Sequence, residues 1–163
     1  MSKGNYPVTA AVRVLRGKGI TFEPRFYTYE EHGGTRHSAA ALGVPEHEVV
    51  KTLVMKTDRN EPLIVLMHGD RDVSTKQLAR LLAVKTVEPC DEATAHRHTG
   101  YVFGGMSPFG TRRPMPVYVQ KSIFDLPRIY INGGKRGFLV EIDPAALRTA
   151  LELTEIDAAI SPS

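Results

Sequence analysis

Eleven consecutive residues, Gly100-Tyr101-Val102-Phe103-Gly104-Gly105-Met106-Ser107-Pro108-Phe109-Gly110, hold four glycines, a proline and a hydroxyl. The pair Gly104-Gly105 permits positive φ and close approach of a second backbone or a ligand. Pro108 fixes its own φ and keeps Ser107 out of the helical region. The expected result is a stiff, exposed loop whose backbone N–H groups converge on one spot. Converging N–H groups bind a phosphate or stabilise an oxyanion. Glycine pairs also punctuate ordinary turns between strands. Two further features favour chemistry here. One is a second glycine cluster, Asn132-Gly133-Gly134-Lys135-Arg136-Gly137; the other is a cation, Lys51, that opens an apolar strand. A solvated lysine at a strand end is the plainer reading of Lys51.

Other routes to catalysis find little support. There is no Gly-x-Ser-x-Gly elbow, and the only cysteine, Cys90, lies in a Glu-Pro-Cys-Asp turn. Without a covalent nucleophile, catalysis would rest on positioning and electrostatics. His96 and His98 flank Arg97 and share a side only on a strand; neither they nor His32 and His37 have a visible third ligand. No metal and no cofactor are expected.

The elements that must position these residues read as follows. Thr9 caps a helix over Ala10–Lys18, ended by Gly17 and Gly19. Residues 20–22 and 25–29 read as strand interrupted by Pro24, with Tyr27 and Tyr29 on one face. Residues 30–37 are polar and glycine-bearing, hence a loop, and Ser38 caps a short helix to Leu42. A helical turn follows Pro45. Residues 50–57 and 62–68 are strands around a turn, antiparallel to each other. Ser74 caps an amphipathic helix over Thr75–Leu82 with Leu78, Leu81 and Leu82 inward. Residues 85–88 form a short strand, and Asp91 caps a helical turn near Glu92–His96. Beyond the glycine loop come a strand at 116–120, a turn at 122–126, and a hairpin of 128–132 with 137–142 whose tip is 132–136. Asp143 caps a last helix over 144–151, and residues 154–163 fray. Short helices interleaved with many strands make an α+β fold with a mixed sheet.

The 163 residues suffice for one domain with a proper core. The balance, 42% hydrophobic and 24% charged, is that of a globular protein. A net charge of +3 permits an RNA partner without demanding one. One cysteine rules out an internal disulfide and fits a reducing compartment. The N-terminus shows no apolar signal region, and no apolar run nears the ~18 residues of a membrane helix. A cytoplasmic monomer without membrane contact is the expectation.

Three spaced motifs carry a resemblance. Lys51-Thr52-Leu53-Val54, then Thr99–Pro108, then Ile129–Gly137 resemble the YbaK/EbsC family, related to the editing domain of bacterial prolyl-tRNA synthetases. The resemblance runs from about Thr9 to about Leu151. It implies a mixed, barrel-like β-sheet with surrounding short helices, and one domain over residues 1–163. It implies an aminoacyl-tRNA deacylase that acts in trans on mischarged tRNA: Cys-tRNA(Pro), or tRNA carrying Ala, Ser or Thr. Aminoacyl-tRNA and a synthetase, prolyl-tRNA synthetase among them, are the implied partners. Lys51 is then the foremost catalytic residue. Gly104, Gly105, Met106, Ser107 and Pro108 line the pocket, Gly133 and Gly134 flank it, and Lys135 and Arg136 face RNA. A first-strand tyrosine joins the site: its Tyr-Glu context fits Tyr29, its spacing from Phe22 fits Tyr27, and both stay open. One position departs from the cysteine-specific pattern, which has Asp where this chain has Leu139, so cysteine specificity is in question while the deacylase class is not. A non-catalytic tRNA- or synthetase-binding module of the same fold is the alternative.

For a deacylase the reaction is ester hydrolysis through a tetrahedral oxyanion. Lys51 can offer its ammonium to the ester carbonyl or to ribose and phosphate oxygens, and N–H groups of 104–107 can add donors. Ser107 equally suits a turn hydroxyl bonded to its own backbone. Lys76, Arg80, Lys85, Arg112 and Arg113 are further candidates for a basic face, or scattered solvated charge.

Overall fold

The structure, a computed structural model, describes residues 5–162. Its centre is an eight-stranded mixed sheet. The strands are β1 (Glu23–Phe26), β2 (Val49–Thr57), β3 (Pro62–His68), β4 (Asp72–Val73), β5 (Val87–Pro89), β6 (Val117–Gln120), β7 (Ile129–Lys135), β8 (Phe138–Ile142), β9 (Leu153–Ile156) and β10 (Ala159–Ile160). The order is β1-β8-β7-β2-β3-β6-β9, with β5 also on β2 and β10 paired separately with β4. The pairs β7·β2, β3·β6 and β6·β9 are parallel; the others are antiparallel. The two end strands do not pair with each other among the described residues, so the sheet is open and stops short of a closed barrel.

Among the described residues five α-helices surround it: α1 (Ala10–Gly17), α2 (Gly34–Leu42), α3 (Thr75–Leu82), α4 (Glu92–Thr99) and α5 (Ala146–Ala150). Side chains of Thr9, Ser74 and Asp91 accept the N–H groups of Val12, Gln77 and Thr94, capping α1, α3 and α4. The largest cluster of buried side chains joins α1 to one sheet face through Leu15, Ile64, Leu66, Phe109, Ile131 and Val140. A second, with Leu78, Val65 and Ile156, lies under α3. No described helix is long and apolar enough to cross a membrane.

Six expectations are corrected. The first strand ends at Phe26, so Tyr27 and Tyr29 sit in the segment beyond it. The segment 30–37 is a loop only to Gly33. There α2 begins, and Ser38 lies buried inside it, its hydroxyl donating to the Thr35 carbonyl instead of capping. Leu81 points outward, 48% exposed, while Leu78 and Leu82 pack inward. The hairpin tip is tighter: β7 runs through Lys135 with a bulge between Asn132 and Lys135, and Arg136-Gly137 makes the turn, with Gly137 at φ +79°. Asp143 lies three residues before α5 begins and accepts the Ala145 N–H, so it does not cap that helix. Residues 153–160 do not fray: β9 adds to β6, and β10 to β4, while Ser163 lies outside the described residues.

Candidate functional site

β2 and β7 run together only at Val49↔Tyr130 and Val50↔Ile131. Beyond that point the bulge turns β7 aside. The gap that opens holds a cavity of about 410 Å³. Lys51 and Thr52 of β2, Asn132 of β7 and Leu139 of β8 form its sheet side. Tyr27, Tyr29 and Glu30 come from the segment after β1, Thr35 and His37 from α2, and Phe103, Gly104 and Met106 from the glycine loop.

Lys51 is the cation of this cavity. Its side chain is 23% exposed, and its Nζ donates to Asp72 Oδ1 at 3.4 Å. Asp72, delivered from β4, is the carboxylate paired with Lys51. Leu139 itself is buried with Ala39, Val49 and Tyr130, and Tyr27 packs on this cluster. Burial pushes the Tyr27 phenol above its ordinary value. Its ring meets His37 edge-on at 5.8 Å. His37 Nε2 donates to the Thr28 carbonyl at 2.8 Å, which turns Nδ1 toward Glu30 at 3.5 Å. Tyr29 stands on the opposite side, under the Arg136 guanidinium at 4.8 Å and against Gly104. Both tyrosines thus line the cavity, Tyr27 on the α2 side and Tyr29 on the loop side.

The glycine loop differs from the exposed loop that its composition suggests. Residues 105–109 are buried. The Gly105 N–H already donates to the Val102 carbonyl at 2.9 Å. Ser107 has no exposed surface, and its Oγ accepts the Phe109 N–H at 3.2 Å, so it stabilises the turn. The Tyr101 hydroxyl donates to the Phe109 carbonyl, and burial pushes that phenol up to about 12. Only Gly104 and Met106 of the expected loop residues reach the cavity; Gly105, Ser107 and Pro108 lie behind it. Gly104 has φ +87°, and a Cβ there would stand 2.6 Å from the Tyr29 ring.

Gly133 and Gly134 also sit away from the cavity wall. They form the bulge, where a Cβ on Gly133 would strike the Phe138 ring at 2.4 Å. Asn132 fastens this turn to the loop: its Oδ1 accepts from Gly134 and Lys135, and its Nδ2 donates to the Gly104 carbonyl at 2.9 Å. Arg136 adds a second tie, Nε to the Phe103 carbonyl at 2.8 Å. Lys135 is exposed beside it. Sequence reasoning missed Glu30, Thr35, His37, Phe103, Asn132 and Asp72. The polar run 30–37 is the available signal, but its glycines and polar residues have the composition of a loop and hide the start of α2 at Gly34. The histidines at 96 and 98 lie on α4 and bond separately, one to the Tyr101 carbonyl and one to Arg113.

Comparison with known proteins yields three findings. The family model for the aminoacyl-tRNA editing domain matches residues 31–150. A protein of Enterococcus faecalis named EbsC, a candidate Cys-tRNA(Pro)/Cys-tRNA(Cys) deacylase, is 29% identical over 140 residues, covering 85% of each chain. A proline–tRNA ligase of Streptococcus equi subsp. zooepidemicus is 30% identical over 107 residues; the match spans 65% of this chain and 17% of the ligase. Two solved structures share the fold. One is the hypothetical protein APE2540, with TM-score 0.85, 22% identity and coverage of 93% of this chain and 100% of that one. The other is a candidate trans-editing enzyme for prolyl tRNA synthetase, with TM-score 0.82, 20% identity and coverage of 96% and 100%.

Proposed function

The chain belongs to the aminoacyl-tRNA editing domain family, and from that premise we propose that it hydrolyses the ester of mischarged aminoacyl-tRNA in the cytoplasm. The observation that carries this is Lys51, partly buried and held by Asp72 on the wall of a cavity large enough for an aminoacyl group and its ribose. Lys51 donates to the ester carbonyl as the oxyanion forms, and Asp72 holds the ammonium in place. Tyr27 and Tyr29 supply phenols on either side, and water attacks. Gly104 lets the loop close onto Tyr29; Gly105, Ser107 and Pro108 shape that loop from behind, and the bulge glycines Gly133 and Gly134 support it. Lys135 and Arg136 meet the phosphates of the acceptor end.

The substrate is a small amino acid on a tRNA that should carry another. Leu139 makes one wall apolar where a carboxylate would bind a charged or polar group, which favours alanine over cysteine; serine and threonine are the other members of the class. Relationship to the prolyl-tRNA synthetase editing region makes tRNA(Pro) the first tRNA to test.

The test is deacylation of tRNAs charged with Cys, Ala, Ser, Thr and Pro by wild type and by Lys51→Ala. The expected outcome is hydrolysis of one or two of them, lost in the variant. Binding of tRNA with hydrolysis of none would overturn the enzyme reading and leave a binding module. Equal hydrolysis of a free aminoacyl ester would mark a small-molecule esterase.

A further inference from the structure

The edge of β2 that faces away from β3 has a break in its pairing. β7 pairs with it at Val49 and Val50, and β5 pairs with it from Met55 to Thr57. Among the described residues no strand pairs with that edge over residues 51–54, and the Cys90 N–H donates to the Val54 carbonyl there at 3.0 Å. Two cavities lie along the break. The first is the one at Lys51. The second, of about 290 Å³, begins at Thr52 and follows Leu53, Val54 and Met55 to Pro89 and Cys90. Thr52, Phe103, Gly104 and Met106 line both, so the cavities adjoin at a shared waist. The Thr52 hydroxyl oxygen is buried there without a hydrogen-bond partner.

The waist carries an aromatic ring that packing does not explain. Phe103 is 42% exposed, next to Val102, also 42% exposed. Hydrogen bonds hold this exposed apolar tip still: Arg136 to the Phe103 carbonyl, Asn132 to the Gly104 carbonyl and Gly105 to the Val102 carbonyl. A ring fixed in solvent beside an apolar cleft is what stacking on a flat ligand requires.

We propose that the second cavity is a nucleobase subsite, which takes the unpaired base next to the scissile ester and stacks it on Phe103. This rests on the hydrolase reading above. The ester sits at Lys51, and one ribose separates it from the terminal base, so ester and base need adjoining cavities. A base has apolar faces and a polar edge. The cleft answers both: Phe103 and Met106 offer aromatic and thioether surfaces, while the β2 edge that no strand covers and the Thr52 hydroxyl, buried without a partner, offer hydrogen bonds. An aliphatic ligand would leave those polar groups unmet. Arg136, tied to the same loop, places a guanidinium where the adjoining phosphate would lie. Single-stranded RNA ends are commonly held by such pairing of stacking with cations.

The test is a titration with adenosine 5′-monophosphate followed on ¹³C-labelled methionine methyls. Met55 lines only the second cavity, Met106 lines both, and the buried Met67 lines neither. Shifts are expected at Met55 and Met106 with Met67 still. Phe103→Ala should weaken the nucleotide about tenfold, with the unmoved Met67 signal reporting an intact fold, and Phe103→Trp should restore binding. On charged tRNA, Phe103→Ala should raise KM by a similar factor and leave kcat nearly unchanged. A silent Met55 at tens of millimolar nucleotide, or a shift undiminished in Phe103→Ala, would overturn the subsite. Hydrolysis with a silent Met55 removes the subsite and keeps the hydrolase; a shifting Met55 with no hydrolysis of any charged tRNA does the reverse.

Discussion

Lys51 and Gly104 show how much depends on single side chains. Lys51 has one described partner, Asp72, and the pair is partly open to water, so it contributes little to stability, about 0–1 kcal/mol. Its value is a fixed donor: removal of one well-aimed donor typically costs ~10²–10³ in rate. Lys51→Ala should therefore lower kcat/KM by about that factor with an unchanged melting temperature. Asp72→Asn keeps the lysine but loosens its aim, and should cost less, about tenfold by the same reasoning; equal losses in both variants would mean that Asp72 acts on the substrate directly. Gly104→Ala tests the loop. The new methyl would press on Tyr29 at 2.6 Å in a backbone at φ +87°. We expect a stability loss of about 1–3 kcal/mol and a fall in kcat/KM, read by denaturant unfolding beside single-turnover deacylation.

At the scale of elements, what could be read in the sequence had local causes. Caps at Thr9, Ser74 and Asp91, the β2–β3 hairpin around Asp58–Asn60 and the C-terminal hairpin partner each follow from neighbouring residues. What could not be read depended on distant partners. The bulge at Gly133-Gly134 is imposed by close approach of Phe138, Tyr101 and Thr9, none of them near in the chain except Phe138. Asp72 meets Lys51 only because β4 follows β3 back past β2. The tail at 154–163 is polar enough to read as frayed. Its residues 154–158 are ordered by β6 and by Gln120, whose Oε1 accepts from Ala158 and whose Nε2 donates to Asp157. Ile156, 7% exposed, packs in the cluster under α3. Ile156→Ala should thus cost about 2–4 kcal/mol in urea unfolding, whereas a frayed tail would give no change.

The whole molecule is bounded in pH by two buried groups in different clusters. His68 ends β3, is 1% exposed and lies between the two 3-10 helices at Glu46–Glu48 and Lys121–Asp125. Its Nδ1 donates to the His47 carbonyl at 2.8 Å, so Nε2 accepts the Ser122 hydroxyl at 2.7 Å. The His47 ring stacks on it at 3.8 Å, with Asp70 and Arg71 beyond. Burial, aided by His47 and Arg71, lowers its pKa. The unfolded histidine titrates near ~6.5, so below that pH the unfolded chain holds more protons and stability falls with acid. Tyr101 acts at the other limit. Its pKa is pushed up to about 12 by burial, against ~10 unfolded, so its contribution is complete below pH 10 and is lost as pH rises toward 12. Urea unfolding between pH 5 and 11 should give a plateau from about 7 to 8.5 with both limbs descending, the alkaline limb beginning with the buried Cys90 thiol, whose pKa burial also raises. His68→Gln should flatten the acid limb above the carboxylate range, and Tyr101→Phe should shallow the alkaline limb, leaving the part due to Cys90, Tyr27 and Tyr130, whose pKa values are also raised. An acid limb unchanged in His68→Gln would place that sensitivity in other groups, and would mean that the junction of β3 with the two 3-10 helices is not what unlocks first as the molecule is acidified.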